Sequence, residues 1–271
     1  MKVLDVYYEY DLDLISYKGK SIREMMDNFF LCFPNSYRNN YDRNIETLQM
    51  YRVDEMRDVK DSAQYYPGPN VLMFKSFNNL PHELMHLASS DRKNRQFAFC
   101  RDGEFSFIEG ALIEGMTEYL SCVAKDGTPD DYLFEYFVVS MLSSIDGIFK
   151  PFFIPSYGEF ISLFPNERDI CSLLYSLDYY QDGILLLDKD AKGVEIDRIG
   201  DAVKSTIDGL IDIGLSFNKD RRERKVYSDK FMSLISDDNL SSLVGYVCPE
   251  YLDYAYHEVN KRLLRRSRWV N

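Results

Sequence analysis

The spacing of apolar and polar positions divides the chain into a mixed first half and an almost wholly helical second half. Residues 3–10 are β-prone enough for an opening strand. Ser21-Ile22-Arg23-Glu24 has the form of a capping box and predicts a helix running to about Cys32. Residues 35–43, rich in Asn, Tyr and Arg, read as a loop. Residues 45–63 read as a helix that ends before the breaker Tyr66-Pro67-Gly68-Pro69. A short β-prone run, Val71-Leu72-Met73-Phe74, lies within residues 70–76. It precedes a helix predicted from about Asn79 to Ser90, with Pro81 in its first turn. Residues 96–100 and 104–108 flank Asp102-Gly103 and predict a hairpin. A helix over residues 111–124 follows, and Thr128-Pro129-Asp130-Asp131 has the order of cap, proline and acidic residues that opens another. Beyond it, residues 155–164, 166–181, 194–216, 225–236 and 249–266 all carry helical periodicity. No internal repeat or low-complexity tract interrupts them.

Composition narrows the class. The chain has 271 residues, 45 % hydrophobic and 15 % aromatic, which is ample for a packed core and unlike a disordered chain. A formal charge of -12 argues against nucleic acid as a partner. Cys32, Cys100, Cys122, Cys171 and Cys248 are scattered and form no C-x-x-C pair, the usage of a reducing compartment. The opening residues carry no leader pattern and no run is apolar enough for a transmembrane segment, so the expectation is a cytoplasmic protein.

The chemistry concentrates at His82-Glu83-Leu84-Met85-His86, which uses two of the three histidines. On a helix, residues four apart lie one turn apart on one face, where two imidazoles can grip a single metal ion. Glu83 stands beside them as a carboxylate able to take a proton from water. This is the H-E-x-x-H pattern of zinc ligation plus general base. Catalytic zinc takes three protein ligands and keeps one position open. No His follows within the next hundred residues, so the third donor must be of another type. Glu104, Glu109 and Glu114 are the carboxylates in reach, and Glu109, near a helix start, also suits a charge facing the helix dipole. Glu114 and Glu118 share one face of the helix over 111–124.

H-E-x-x-H followed by the helical Glu114-Gly115-Met116-Thr117-Glu118-Tyr119 resembles the gluzincin-type zinc metallopeptidases. The resemblance covers only residues 79–120. It implies Zn²⁺ held by His82, His86 and Glu114, Glu83 as general base, and Glu118 orienting a ligating imidazole from behind. It further implies an α+β, predominantly helical fold. A zincin-like catalytic part over 1–150, with a small β-sheet and the active-site helix, would be followed by a helical part over 151–271 that completes the cleft. A hinge is expected near Lys150-Pro151. The substrate would be a peptide or protein, and in such folds the β-prone run 70–76 is a candidate edge strand for pairing with it.

Other signals weigh less. Asp188-Lys189-Asp190 resembles a calcium loop only superficially, because Ile199 stands where a bidentate Glu is needed and Lys192 at a ligand position. His257 is a candidate oxyanion donor, yet it falls on the polar side of a helix whose apolar stripe is Leu252, Tyr256, Val259 and Leu263. The basic runs 221–225 and 262–269 read as solvated helix ends. Two other readings remain open: a non-catalytic zinc-binding protein, its fourth position closed by Cys100 or Cys122, and a helical interaction protein without metal.

Overall fold

The computed structural model describes residues 7–10, 12, 15–17, 19–53, 63–94, 96–101, 110–188 and 195–264. Among them lie twelve α-helices and three small sheets, an α+β fold dominated by helix, as the periodicity predicts. No described helix is long and apolar enough to cross a membrane. The chain divides into two compact units. The first comprises Met1–Phe105, Met116–Pro129 and Phe149–Tyr157, the second Ser106–Gly115, Asp130–Ile148 and Gly158–Asn271.

The first unit is built on a four-stranded sheet. Strands β1 (Tyr7–Tyr10), β4 (Gln49–Val53), β5 (Ala63–Tyr66) and β6 (Val71–Phe74) lie in the order β1-β4-β6-β5. Only the β4–β6 pair is parallel. Two short ladders accompany it. One joins β2 (Ser16–Tyr17) to β3 (Lys20–Ser21), and the other joins β7 (Ser90–Asp91), β8 (Gln96–Phe97) and β9 (Cys100–Arg101). Helix α1 (Ile22–Phe30) starts where the capping box predicts, with the Ser21 hydroxyl accepting from the Glu24 N–H. Phe153 of α6 (Lys150–Phe153) sits against Phe29, Phe30, Phe33 and Tyr37 with ring centroids 5.4–6.3 Å apart. Lys150 and Pro151, the expected hinge, open this helix, and Pro151 is buried.

Several local expectations are overturned. Residues 35–43 are not a loop but a 3₁₀ turn, Asn35–Arg38, running into α2 (Asn39–Ile45). The helix expected over 45–63 is absent where the structure describes that stretch. Residues 49–53 form β4, because Met50 is buried between β1 and β6 and strand pairing there outweighs the local pattern. The run 70–76 is not an edge strand: β6 is flanked by β4 and β5, and the edges of the described sheet are β1 and β5. Residues 96–100 are not one strand: the chain turns at Ala98-Phe99 between β8 and β9, with Ala98 in the left-handed region at φ 46°. Asp102, Gly103 and residues 104–108 lie outside the described residues, as does most of the calcium-like run.

Helix α3 (Leu80–Ala88) carries the H-E-x-x-H motif and has Pro81 in its first turn. Every residue on it except His82 is buried, so its termini need partners inside the protein. Those partners are specific. The Ser89 and Ser90 hydroxyls donate to the His86 carbonyl at 3.0 and 2.8 Å. Asn44 of α2 donates its amide to the Leu87 and Ser90 carbonyls at 2.9 and 2.7 Å. Asn70, held at φ 61°, a conformation Asn tolerates better than most residues, donates in turn to the Asn44 carbonyl at 2.8 Å.

The second unit is helical. Helices α5 (Leu133–Leu142), α7 (Tyr157–Ser162), α8 (Glu167–Asp188), α9 (Ile196–Phe217), α10 (Arg221–Ile235), α11 (Asp238–Val247) and α12 (Tyr251–Glu258) follow in order, and α12 passes into a π-turn, Val259–Leu264. Helix α5 opens at Leu133, later than Thr128-Pro129 predicts, and α11 is a helix the periodicity does not separate from its neighbours. Basic residues 221–225 stand at the N-terminus of α10, not at a C-terminal end. The Asp220–Glu223 capping box supplies the negative charge that offsets them there. Of the second basic run, Arg262 bonds Asp208 at 2.8 Å and also Asp212, while residues 265–269 lie outside the described residues.

The Asn44 amide satisfies two buried carbonyls at the end of the motif helix. Replacing it, Asn44→Ala, is expected to destabilise the protein by roughly 1–3 kcal/mol, read as a lower urea midpoint with an unchanged slope.

Candidate metal centre

The site stands on α3 and on α4 (Gly110–Lys125). Helix α4 covers the predicted 111–124. Its Ala111 N–H donates to Asp178 Oδ1 at 2.8 Å, so the carboxylate that satisfies this helix start comes from α8. Gly115 is required by close packing on α5, because a Cβ there would come 2.7 Å from the Glu135 carbonyl oxygen. That contact accounts for the glycine in Glu114-Gly115-Met116-Thr117-Glu118 without any catalytic role.

His82 and His86, one turn apart on α3, face each other with their Nε2 atoms 3.2 Å apart. Their far nitrogens are held by α4. His82 Nδ1 donates to Glu118 Oε2 at 2.9 Å, and Thr117 Oγ1 lies 3.4 Å from His86 Nδ1. A neutral imidazole carries its proton on one nitrogen only. With Nδ1 turned to a carboxylate, neutral His82 presents the lone pair of Nε2, whereas the Thr117 hydroxyl can donate or accept and is compatible with either tautomer of His86. At 3.2 Å the His86 Nε2–H can donate to the lone pair of His82 Nε2, or both nitrogens can face a common cation.

Glu114 precedes Glu118 by one helical turn on the same face of α4. One donor atom each from His82, His86 and Glu114 falls in a group whose members all lie within 4.8 Å of one another. Two imidazole nitrogens and a carboxylate oxygen at that spacing suit Zn²⁺ with a position left open. The donor set therefore fits the ion that the sequence pattern implies. Glu104 and Glu109, the competing third ligands, lie outside the described residues.

Glu83 is buried, and its Oε2 accepts the backbone N–H of Tyr65 at 2.6 Å. The expected base is thus tethered to the edge strand β5. Tyr65 is itself anchored, its hydroxyl donating to Asn70 Oδ1 at 2.8 Å. A chain of buried bonds therefore runs from Glu83 through Tyr65 and Asn70 to Asn44 and the end of the motif helix. Glu118 is pinned at its other oxygen as well: Cys122 Sγ donates to Oε1 at 3.5 Å, and Lys125 Nζ lies 3.8 Å away.

His257 does not join this site. Its side chain is 65 % exposed on α12 and its Nε2 lies 3.7 Å from Glu258 Oε1. The buried stripe of its helix is Tyr251, Ala255, Val259 and Leu263, while Tyr256, expected to be buried, is exposed. Cys122, one of the two thiols considered for a fourth ligand, is committed to Glu118, and the side chain of Cys100 lies outside the described residues.

Sequence reasoning does not reach Thr117, Tyr65 or Lys125, and it considers Cys122 only as a fourth ligand, not as a partner of Glu118. Thr117 alone carried a signal, as a hydroxyl beside Glu118 in the same helical turn. Comparison with known proteins finds no matching family model, and no significant match among curated proteins or solved structures.

In the second unit, Glu135 is buried on α5. Desolvation first, then the carboxylates of Glu114 and Asp178, push its carboxyl up to about 7 from 4.5, against its own backbone hydrogen bond. Between those values the native state holds the extra proton, so the stabilisation is complete below about pH 4.5 and is lost as pH rises to about 7. In metal-free protein this loss is expected to reach roughly 3 kcal/mol. Glu135→Gln should flatten that part of the stability–pH curve, measured by denaturant unfolding across the range.

Proposed function

We propose that this chain is a zinc-dependent metallopeptidase of gluzincin type, acting on a peptide or protein substrate. The observation that carries the reading is the pair of imidazoles whose Nε2 atoms converge to 3.2 Å while α4 holds both Nδ1 atoms from behind, with Glu114 in the same group. His82, His86 and Glu114 would hold the ion. Zinc bound there supplies a Lewis acid for the scissile carbonyl and lowers the pKa of water toward about 7.

Glu83 takes the proton of the attacking water and delivers it to the departing amine nitrogen. Its bond to Tyr65 N–H fixes the carboxylate at the edge of the sheet. An extended substrate segment pairing along β5 would lie beside the base, so β5 takes the part that the sequence pattern gave to residues 70–76. Glu118 keeps His82 in the ligating tautomer, and Thr117 meets the His86 ring at Nδ1. A cytoplasmic setting goes with this reading, since Cys32 and Cys248 stand outside any disulfide and the Cys122 thiol is hydrogen-bonded to Glu118. The alternative, a zinc site closed by a fourth protein ligand and without catalysis, loses one of its two donors through that same bond.

Two variants test the reading. Glu83→Gln is expected to retain stoichiometric zinc while cleavage of a broad peptide library falls by about 10²–10⁴-fold. Cleavage at the wild-type rate under metal-controlled conditions would refute the mechanism. His86→Ala is expected to lose stoichiometric zinc after dialysis, measured by elemental analysis.

A further inference from the structure

Behind Glu118 the protein buries a lysine. Glu118, Cys122 and Lys125 follow one another at i, i+4 and i+7 on α4 and so share one face of the helix. The side chains of Glu118 and Lys125 are only 4 % and 5 % exposed. A lysine is seldom withdrawn from water to this degree unless its charge is compensated, because the desolvation of an ammonium costs several kcal/mol. Lys125 Nζ lies 3.8 Å from Glu118 Oε1, the oxygen that also accepts from the Cys122 thiol. The opposite oxygen, Oε2, accepts from His82 Nδ1 at 2.9 Å. The carboxylate is therefore clamped between an imidazole and a buried ammonium, with the thiol beside the latter.

A plain structural account is available: Lys125 ends α4, where a cation complements the helix dipole. That effect needs no burial and is already worth a few tenths to about 1 kcal/mol at exposed helix ends. It does not explain why the ammonium is turned inward to a carboxylate that touches a candidate ligand. We infer that Lys125 is a positioning residue of the metal centre, acting through Glu118 to hold His82 with Nε2 toward the ion. The inference rests on the proposed zinc site. Its physical content is charge balance. The ammonium keeps an anionic acceptor in place behind His82 and stops the carboxylate from rotating away.

Zinc affinity, measured by competition with a chromophoric chelator, separates this role from the alternatives. Removing a positive charge near a divalent cation would by itself tighten binding. Loss of positioning weakens it, typically 10–100-fold for partners behind a ligand. Lys125→Met is expected to weaken zinc binding at least about 10-fold, and Lys125→Arg to restore it to within about 3-fold of wild type. Adding Lys125→Met to Glu118→Gln should cost little more than Glu118→Gln alone, since the lysine acts through that carboxylate.

Unchanged or tighter binding by Lys125→Met overturns the inference, and so does a double variant whose loss is the product of the two single losses. If Lys125→Met fails to fold by circular dichroism, Lys125→Gln, which keeps a hydrogen-bond donor without the charge, reads the same outcomes. Wild-type protein that retains no zinc overturns the metal centre and this inference together. Wild-type protein that binds zinc, beside a Lys125→Met variant that binds equally well, overturns this inference alone.

Discussion

The arrangement depends on which nitrogen of each imidazole points inward. Helix α3 places His82 and His86 on one face, but a helix alone does not fix a ring's orientation or its tautomer. Helix α4 does. Its adjacent residues Thr117 and Glu118 meet the two Nδ1 atoms, and the Nε2 atoms are left facing each other at 3.2 Å. That geometry suits two neutral rings joined by one Nε2–H hydrogen bond, and it equally suits rings that share a cation. The same helix, one turn earlier, carries Glu114 of the candidate metal group, so the carboxylate donor and the partners of both imidazoles share one helix.

A second constraint acts on the motif helix itself. Because α3 is buried almost all round, its C-terminal carbonyls cannot be left to water. Asn44, Ser89 and Ser90 satisfy them, and Asn70 links this cluster to Tyr65, whose backbone holds Glu83. Glu83 and the helix that carries it are thus anchored by one polar network. The loop residue Asn70, in its left-handed conformation, is the joint between them.

The sequence made the motif helix, its proline, α4 and the helical second half legible, because each rests on local spacing or capping chemistry. It failed where distant contacts outweigh local preference. Residues 35–43 read as a loop because Asn is a weak helix former. In the fold Asn40 donates to the Phe153 carbonyl at 3.0 Å and Asn44 caps α3, and these bonds stabilise the helix from outside. Residues 49–53 read as helix, yet pairing with β1 and β6 makes them a strand. At the site, His82, Glu83, His86, Glu114 and Glu118 were legible from spacing and resemblance. Tyr65 was not, since it contributes a backbone N–H that any residue other than proline could offer. Lys125 was hidden for another reason: a lysine near a helix end reads as solvated, and only burial distinguishes it.

X-ray absorption at the zinc edge of the loaded protein tests the central claim most directly. The account predicts one zinc per chain in a shell of nitrogen and oxygen donors at about 2.0–2.2 Å, with the multiple-scattering signature of two imidazoles. A shell containing sulfur, a single imidazole, or no retained zinc would contradict it.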